Sequence, residues 1–115
     1  MPIRLFHNPR CSKSRQALAL LREHGVEPEV VEYLKQPPTP AEIEELLALL
    51  GMEPRQLMRK GEAVYKELGL DDPTLTRAAL IEAMAQNPIL IERPIATDGK
   101  RAVLGRPPEK VLELL

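Results

Sequence analysis

Residues 3–33 read IRLFHNPRCSKSRQALALLREHGVEPEVVEY, and this stretch decides the fold class. Ile3-Arg4-Leu5-Phe6 is a short, mostly apolar strand candidate. Asn8-Pro9 marks a turn, because asparagine favours turn entry and proline cannot continue a strand ladder. Ala17, Leu18 and Leu21 then recur at helical spacing, with Leu20 widening the stripe. Gly25 is a plausible helix stop, with Arg22 and His24 in the last turn, where cations suit the helix dipole. Glu29-Val30-Val31-Glu32-Tyr33 reads as a second strand, which makes the stretch a βαβ unit.

Downstream, Thr39 predicts an N-cap, Pro40 the first helical position, and Glu42 completes a capping box. Ile43, Leu46, Leu47 and Leu50 mark one face of that helix, ended by Gly51. A short helix opens at Pro54 and carries Leu57 and Met58; another spans about Glu62 to Leu68, closed by Gly69. Thr76 caps a further helix with Leu80, Ile81 and Met84 inward, ended by Asn87-Pro88. Beta signals return at Ile89-Leu90-Ile91 and, after Pro94, at Ile95-Ala96. Asp98-Gly99 predicts a two-residue hairpin turn leading to a strand at Ala102-Val103-Leu104. Pro107 opens a C-terminal helix with Val111, Leu112 and Leu115 on one side. The expected fold is α/β: a thioredoxin-like mixed sheet, βαβ followed by a β-hairpin and a C-terminal helix. A single domain over residues 1–115 is expected, with a helical insertion at about 39–87.

The composition suits a globular chain: 115 residues, 43% hydrophobic and 29% charged. A net charge of −1 argues against a general nucleic-acid binder. So does the shortage of stacking platforms, Phe6, Tyr33 and Tyr65 being the aromatic residues. No aliphatic run exceeds that of Leu46 to Leu50, which is far too short to span a membrane. Met1-Pro2-Ile3-Arg4-Leu5-Phe6 meets polar His7-Asn8-Pro9 at once, so no secretory segment and a cytoplasmic location are expected. The net charge hides an asymmetry. Residues 1–22 hold Arg4, Arg10, Lys13, Arg15 and Arg22 and no acid, whereas Lys35 is the one base among eight glutamates in residues 23–53.

The one cysteine, Cys11, lies inside the cationic stretch, between strand and helix. It cannot form an intramolecular disulfide or a multi-cysteine metal site. Lone cysteines are commonly buried and inert. Polar neighbours from Asn8 to Arg15 and a position at a helix N-terminus favour instead a reactive thiolate that could share its backbone N–H groups with an anion. His7 could polarise the thiol or shuttle a proton, or could be a strand-end histidine tied to backbone. Spacing excludes several chemistries. A Cys-x-x-Cys pair meets Ser14, a Cys-x5-Arg phosphatase loop meets Ala17, and no Gly-rich phosphate loop exists. No metal site and no bound cofactor are expected. Arg59, Arg93 and Arg106 are candidate oxyanion ligands, and Arg93 and Arg106 flank the hairpin. Each could equally be an ordinary surface residue, and spacing does not show convergence on Cys11.

The segment His7-Asn8-Pro9-Arg10-Cys11-Ser12-Lys13-Ser14-Arg15 resembles the active-site segment of the glutaredoxin-dependent arsenate reductase family. Glu32-Tyr33-Leu34 with Pro37-Pro38, and Leu57-Met58-Arg59-Lys60, are similar as well. So are Asn87 through Ile95 and Gly105-Arg106-Pro107-Pro108-Glu109. The resemblance implies a thioredoxin-like fold, Pro94 as a cis-proline, and Cys11 as the nucleophile. It implies that Arg59, Arg93 and Arg106 cradle arsenate, with His7, Ser14 and Arg15 around the thiolate. Glutathione would be co-substrate and glutaredoxin the partner that resolves the mixed disulfide. Two other readings stand beside it: a monothiol oxidoreductase that does not act on arsenate, and an RNA-polymerase-binding regulator on the same fold. The regulatory relatives carry Cys-x-x-Cys, and Ser14 stands at the second cysteine here.

Overall fold

The computed structural model describes residues 2–115, and Met1 lies outside the described residues. The chain divides into two compact units, one of the described residues up to Gln36 together with Arg93–Leu115, the other of Pro37–Glu92.

The first unit holds a four-stranded mixed sheet. Strands β1 (Arg4–His7) and β2 (Glu29–Glu32) run parallel, as a βαβ connection requires. β1 also pairs antiparallel with β3 (Ile95–Thr97), which pairs antiparallel with β4 (Ala102–Leu104), giving the order β2-β1-β3-β4. This is the thioredoxin-like arrangement expected from the sequence. Helix α1 (Ser12–Glu23) makes the crossover between β1 and β2. It ends in a Schellman motif: Gly25, at φ 78°, donates its N–H to Arg22, and Val26 donates to Leu21.

Side chains alternate across the pleat. Leu5 and its cross-strand partner Ala96 therefore share a face, where they pack with Ile3, Ala17, Leu21, Val111 and Leu114. Those residues hold α1 and the C-terminal segment against the sheet, and so fix the N-terminus of α1 at the end of β1.

The second unit is helical: α2 (Pro40–Leu50), α3 (Pro54–Leu57), α4 (Ala63–Glu67) and α5 (Arg77–Gln86). The Thr39 hydroxyl accepts the Glu42 N–H at 3.1 Å while the Glu42 carboxylate accepts the Thr39 N–H at 3.0 Å, the reciprocal cap expected there. α5 packs on α2 and α3, burying Ile43, Leu46, Leu47, Leu57, Leu80, Ile81 and Met84.

Three local expectations are corrected. Residues 88–90 form a 3₁₀ turn rather than a strand, and only Ile91 makes a β-bridge, to Met58. Pro88 presets the turn, and a three-residue apolar run carries no period to tell strand from buried turn. At the hairpin, Asp98 and Gly99 are not the central pair. A type I′ turn there would need positive φ at both, and only Gly99 has it, at 90°. Asp98 instead holds the tip with its carboxylate, accepting the N–H groups of Lys100 and Arg101 at 2.9 and 2.8 Å. Finally, the C-terminal helix is a 3₁₀ helix, Pro108–Leu114. With three residues per turn, Val111 and Leu114 eclipse and are buried, whereas Leu115, expected inward, is 54% exposed.

Candidate functional site

The loop between β1 and α1 is built around Asn8. Its carbonyl accepts the Cys11 N–H at 3.0 Å, closing a turn with Pro9 in second place. Its Oδ1 accepts the Arg10 N–H at 3.0 Å, an Asx turn inside the first. Cys11 thereby lands on the N-cap of α1 in extended conformation, and its carbonyl accepts the Arg15 N–H at 3.0 Å. The thiol faces the backbone N–H groups of Ser14 and Lys13.

Burial by itself would push the Cys11 thiol up. Those N–H groups, together with a hydrogen bond and positive charge from Arg93, outweigh it and hold the thiol below its ordinary range. Arg93 is 9% exposed, and its Nε and Nη1 are buried without a protein partner. A buried guanidinium donor left unpaired costs free energy that an anion at this position would recover. The Arg93–Pro94 peptide is cis, and so is Arg106–Pro107. Arg106 Nη1 donates to the Arg93 carbonyl at 2.9 Å, so the two arginines do meet across the hairpin ends.

Ser14 is fully buried. Its Oγ accepts the Asn8 N–H at 3.0 Å and bonds His7 Nδ1 at 2.7 Å. The strand-end histidine is thus tied to a hydroxyl and not to backbone. Burial lowers the His7 pKa, Glu32 pulls it back up, and Arg22 and Arg15 add to the lowering, so the imidazole titrates below its ordinary range. Arg15 directs Nη1 to the Pro9 carbonyl at 3.0 Å and braces the loop.

Arg59 lies in the helical unit, where residues 57–59 and 90–92 run side by side: the Arg59 N–H reaches the Leu90 carbonyl at 2.6 Å, and the Glu92 N–H reaches Leu57 at 2.8 Å. This pairing brings Arg59 Nη1 to Glu92 at 2.7 Å, and Nε reaches Glu62 at 3.2 Å. Burial favours the neutral guanidine, but the two carboxylates prevail and raise the Arg59 pKa. Among the described residues no cluster of three or more His, Cys, Asp or Glu could hold a metal ion. No helix of the described residues is long and apolar enough to cross a membrane.

Residues 6–114 match the ArsC family. The chain belongs to the ArsC family. It is 48% identical to the arsenate reductase of Neisseria meningitidis serogroup A, covering 98% of this chain and 97% of that one. It is 54% identical to the uncharacterized protein YfgD of Escherichia coli, over 98% and 96% of the two chains. The solved arsenate reductase of Vibrio cholerae superposes with a TM-score of 0.97 at 49% identity, covering 100% of this chain and 98% of that one.

Two residues that shape this candidate site have roles not visible in the sequence alone. A turn marker is only part of the role of Asn8, which sets the backbone of Arg10 and Cys11 and also donates its N–H to the Ser14 hydroxyl. Gly105 leaves room for Pro94: a Cβ there would lie 2.8 Å from Pro94 Cγ and 3.0 Å from Val111 Cγ1. A signal for Ser14 was present. It shares the helical face of Ala17 and Leu21, at the spacing of a buried stripe.

Proposed function

We propose that this ArsC-family chain is an arsenate reductase, with Cys11 as nucleophile and with glutathione and glutaredoxin as the source of electrons. The observation that carries the reading is Cys11 on the α1 N-cap, facing free N–H groups, beside a buried Arg93 with two unpaired donors.

The Cys11 thiolate attacks arsenate. An S–As bond forms, one As–O bond breaks, and the oxygen leaves as water. The three remaining oxygens are held by Arg93 and the first N–H groups of α1, which stabilise negative charge without reorganising. Arg106, through its bond to the Arg93 carbonyl, orients that arginine and adds positive charge. Glutathione sulfur then attacks Cys11 sulfur. The S–S bond forms as the S–As bond breaks, and its electron pair stays on arsenic, which leaves as arsenite. Glutaredoxin attacks the glutathione sulfur of the mixed disulfide and releases the Cys11 thiolate. The Ser14 hydroxyl, bonded to His7 and to the Asn8 N–H, ties the first turn of α1 to the end of β1.

Purified protein assayed with arsenate, glutathione and glutaredoxin should release arsenite, and Cys11→Ser should release none. Absence of arsenite release by the unmodified protein would overturn the proposal.

A further inference from the structure

The chain contains one cysteine, so the second sulfur of a two-electron reduction must come from another molecule and must reach Cys11. This inference rests on the arsenate reductase reading. We infer that the groove beside the Cys11 loop is the binding site for that thiol, a small zwitterionic peptide with two carboxylates and one ammonium. The groove has a volume of about 250 Å³. One wall is the loop His7, Asn8 and Arg10 that leads into Cys11, and the other is Glu32, Leu34 and Lys35 after β2.

Both walls are preformed. The Asx turn sets Arg10, and the N–H groups of Lys35 and Gln36 both reach the Glu32 carbonyl at 2.9 Å. A preformed cleft with a few placed polar groups is the usual form of a small-molecule site. The charges match the ligand. Arg10 and Lys35 offer two cations for two carboxylates, and Glu32 offers one carboxylate for the ammonium. Leu34, 39% exposed, supplies apolar surface for the peptide methylenes. The Arg10 guanidinium makes no ion pair among the described residues. Lys35 is only loosely paired with Glu32, at 3.8 Å.

A second groove, of about 540 Å³, runs along α1 past Arg15 and Arg22, and its cations are already engaged. Arg15 braces the Pro9 carbonyl, and Arg22 is held by Glu27 at 3.0 Å. Arg15 is therefore the one cation of that groove outside an ion pair, where a dicarboxylate needs two.

The test uses Lys35→Glu and Arg10→Glu in the full chain. Each should raise the KM for glutathione roughly five- to tenfold and leave the KM for an uncharged thiol, dithiothreitol, unchanged. Arsenate protection of Cys11 from alkylation is measured in parallel in Lys35→Glu. Intact protection with an unchanged glutathione KM in both variants overturns the groove assignment and leaves the reductase reading standing. If the unmodified protein shows neither turnover nor protection, the reductase reading fails, and titration with S-methylglutathione decides the groove by itself. Shifts at the Leu34 and Lys35 amides support it, and none at saturation overturns it.

Discussion

Gly105→Ala tests how the site is supported. Gly105 follows β4, and its N–H donates to the Pro94 carbonyl at 2.8 Å. Its φ is not in the left-handed region, so alanine costs no backbone strain, and the effect comes from space alone. The added Cβ would sit 2.8 Å from Pro94 Cγ and 3.0 Å from Val111 Cγ1. Ordinary carbon contacts are about 3.5–4.0 Å, so roughly 1 Å of movement is needed on the Pro94 side. A proline ring cannot rotate away, and Val111 closes the other side, so the backbone must yield. Overpacking of this kind costs about 1–3 kcal/mol. At roughly 4 °C per kcal/mol for a domain of this size, Tm should fall by about 4–12 °C. Pro94 carries Arg93 on its N-terminal side, and Arg93 helps hold the Cys11 thiol below its ordinary range. Displacement should therefore also move the Cys11 alkylation midpoint up toward an ordinary thiol. Thermal unfolding by circular dichroism and iodoacetamide rates against pH measure the two effects. An unchanged Tm with an unchanged alkylation midpoint would refute the reasoning.

Other perturbations address single contacts. Arg93→Lys replaces a forked donor with a point charge, and the KM for arsenate should rise about tenfold, equivalent to one charge-assisted hydrogen bond; unchanged kinetics would remove Arg93 from the oxyanion site. The depressed His7 pKa means that the folded protein binds fewer protons than the unfolded chain just below the ordinary imidazole value, about 6.5. Its contribution is present above that value and is lost as pH falls through the folded pKa. His7→Asn, which keeps a partner for Ser14, should show a flatter stability profile between pH 5 and 7 in urea titrations; a profile matching the unmodified protein would rule out His7 as the source. Thr39→Ala removes one side of the capping box and should cost about 1 kcal/mol, read as a lower urea midpoint.

Features written in neighbouring residues were legible, and those depending on contacts across the chain were not. The Thr39–Glu42 box and the Gly25 stop are made by residues a few positions apart, each with a single physical solution. The β-hairpin was legible in place but not in detail, because Asp-Gly reads the same whether aspartate forms the turn or caps it from outside. The C-terminal helix failed on period: Val111 with Leu114 fits three residues per turn, Val111 with Leu115 fits an α-helix, and the sequence contains both pairs. For the site, the position of Cys11 at a helix start was readable, since the Asn8-Pro9 turn and the stripe on α1 bracket it. The approach of Arg93 to Cys11 was not, because it joins the head of α1 to the residues just before β3, across most of the chain. Ser14 carries two opposed signals: its place on the Ala17 and Leu21 face points inward, whereas a hydroxyl in a polar run suggests exposure, and burial prevails because His7 and the Asn8 N–H satisfy the hydroxyl.

The rate of Cys11 alkylation by iodoacetamide as a function of pH, with and without arsenate, tests the central claim most directly. The expected result is a midpoint below the ordinary thiol range and a rate slowed by arsenate in saturable fashion. A midpoint at or above the ordinary thiol value, with no protection by arsenate, would contradict an oxyanion-binding thiolate at the head of α1.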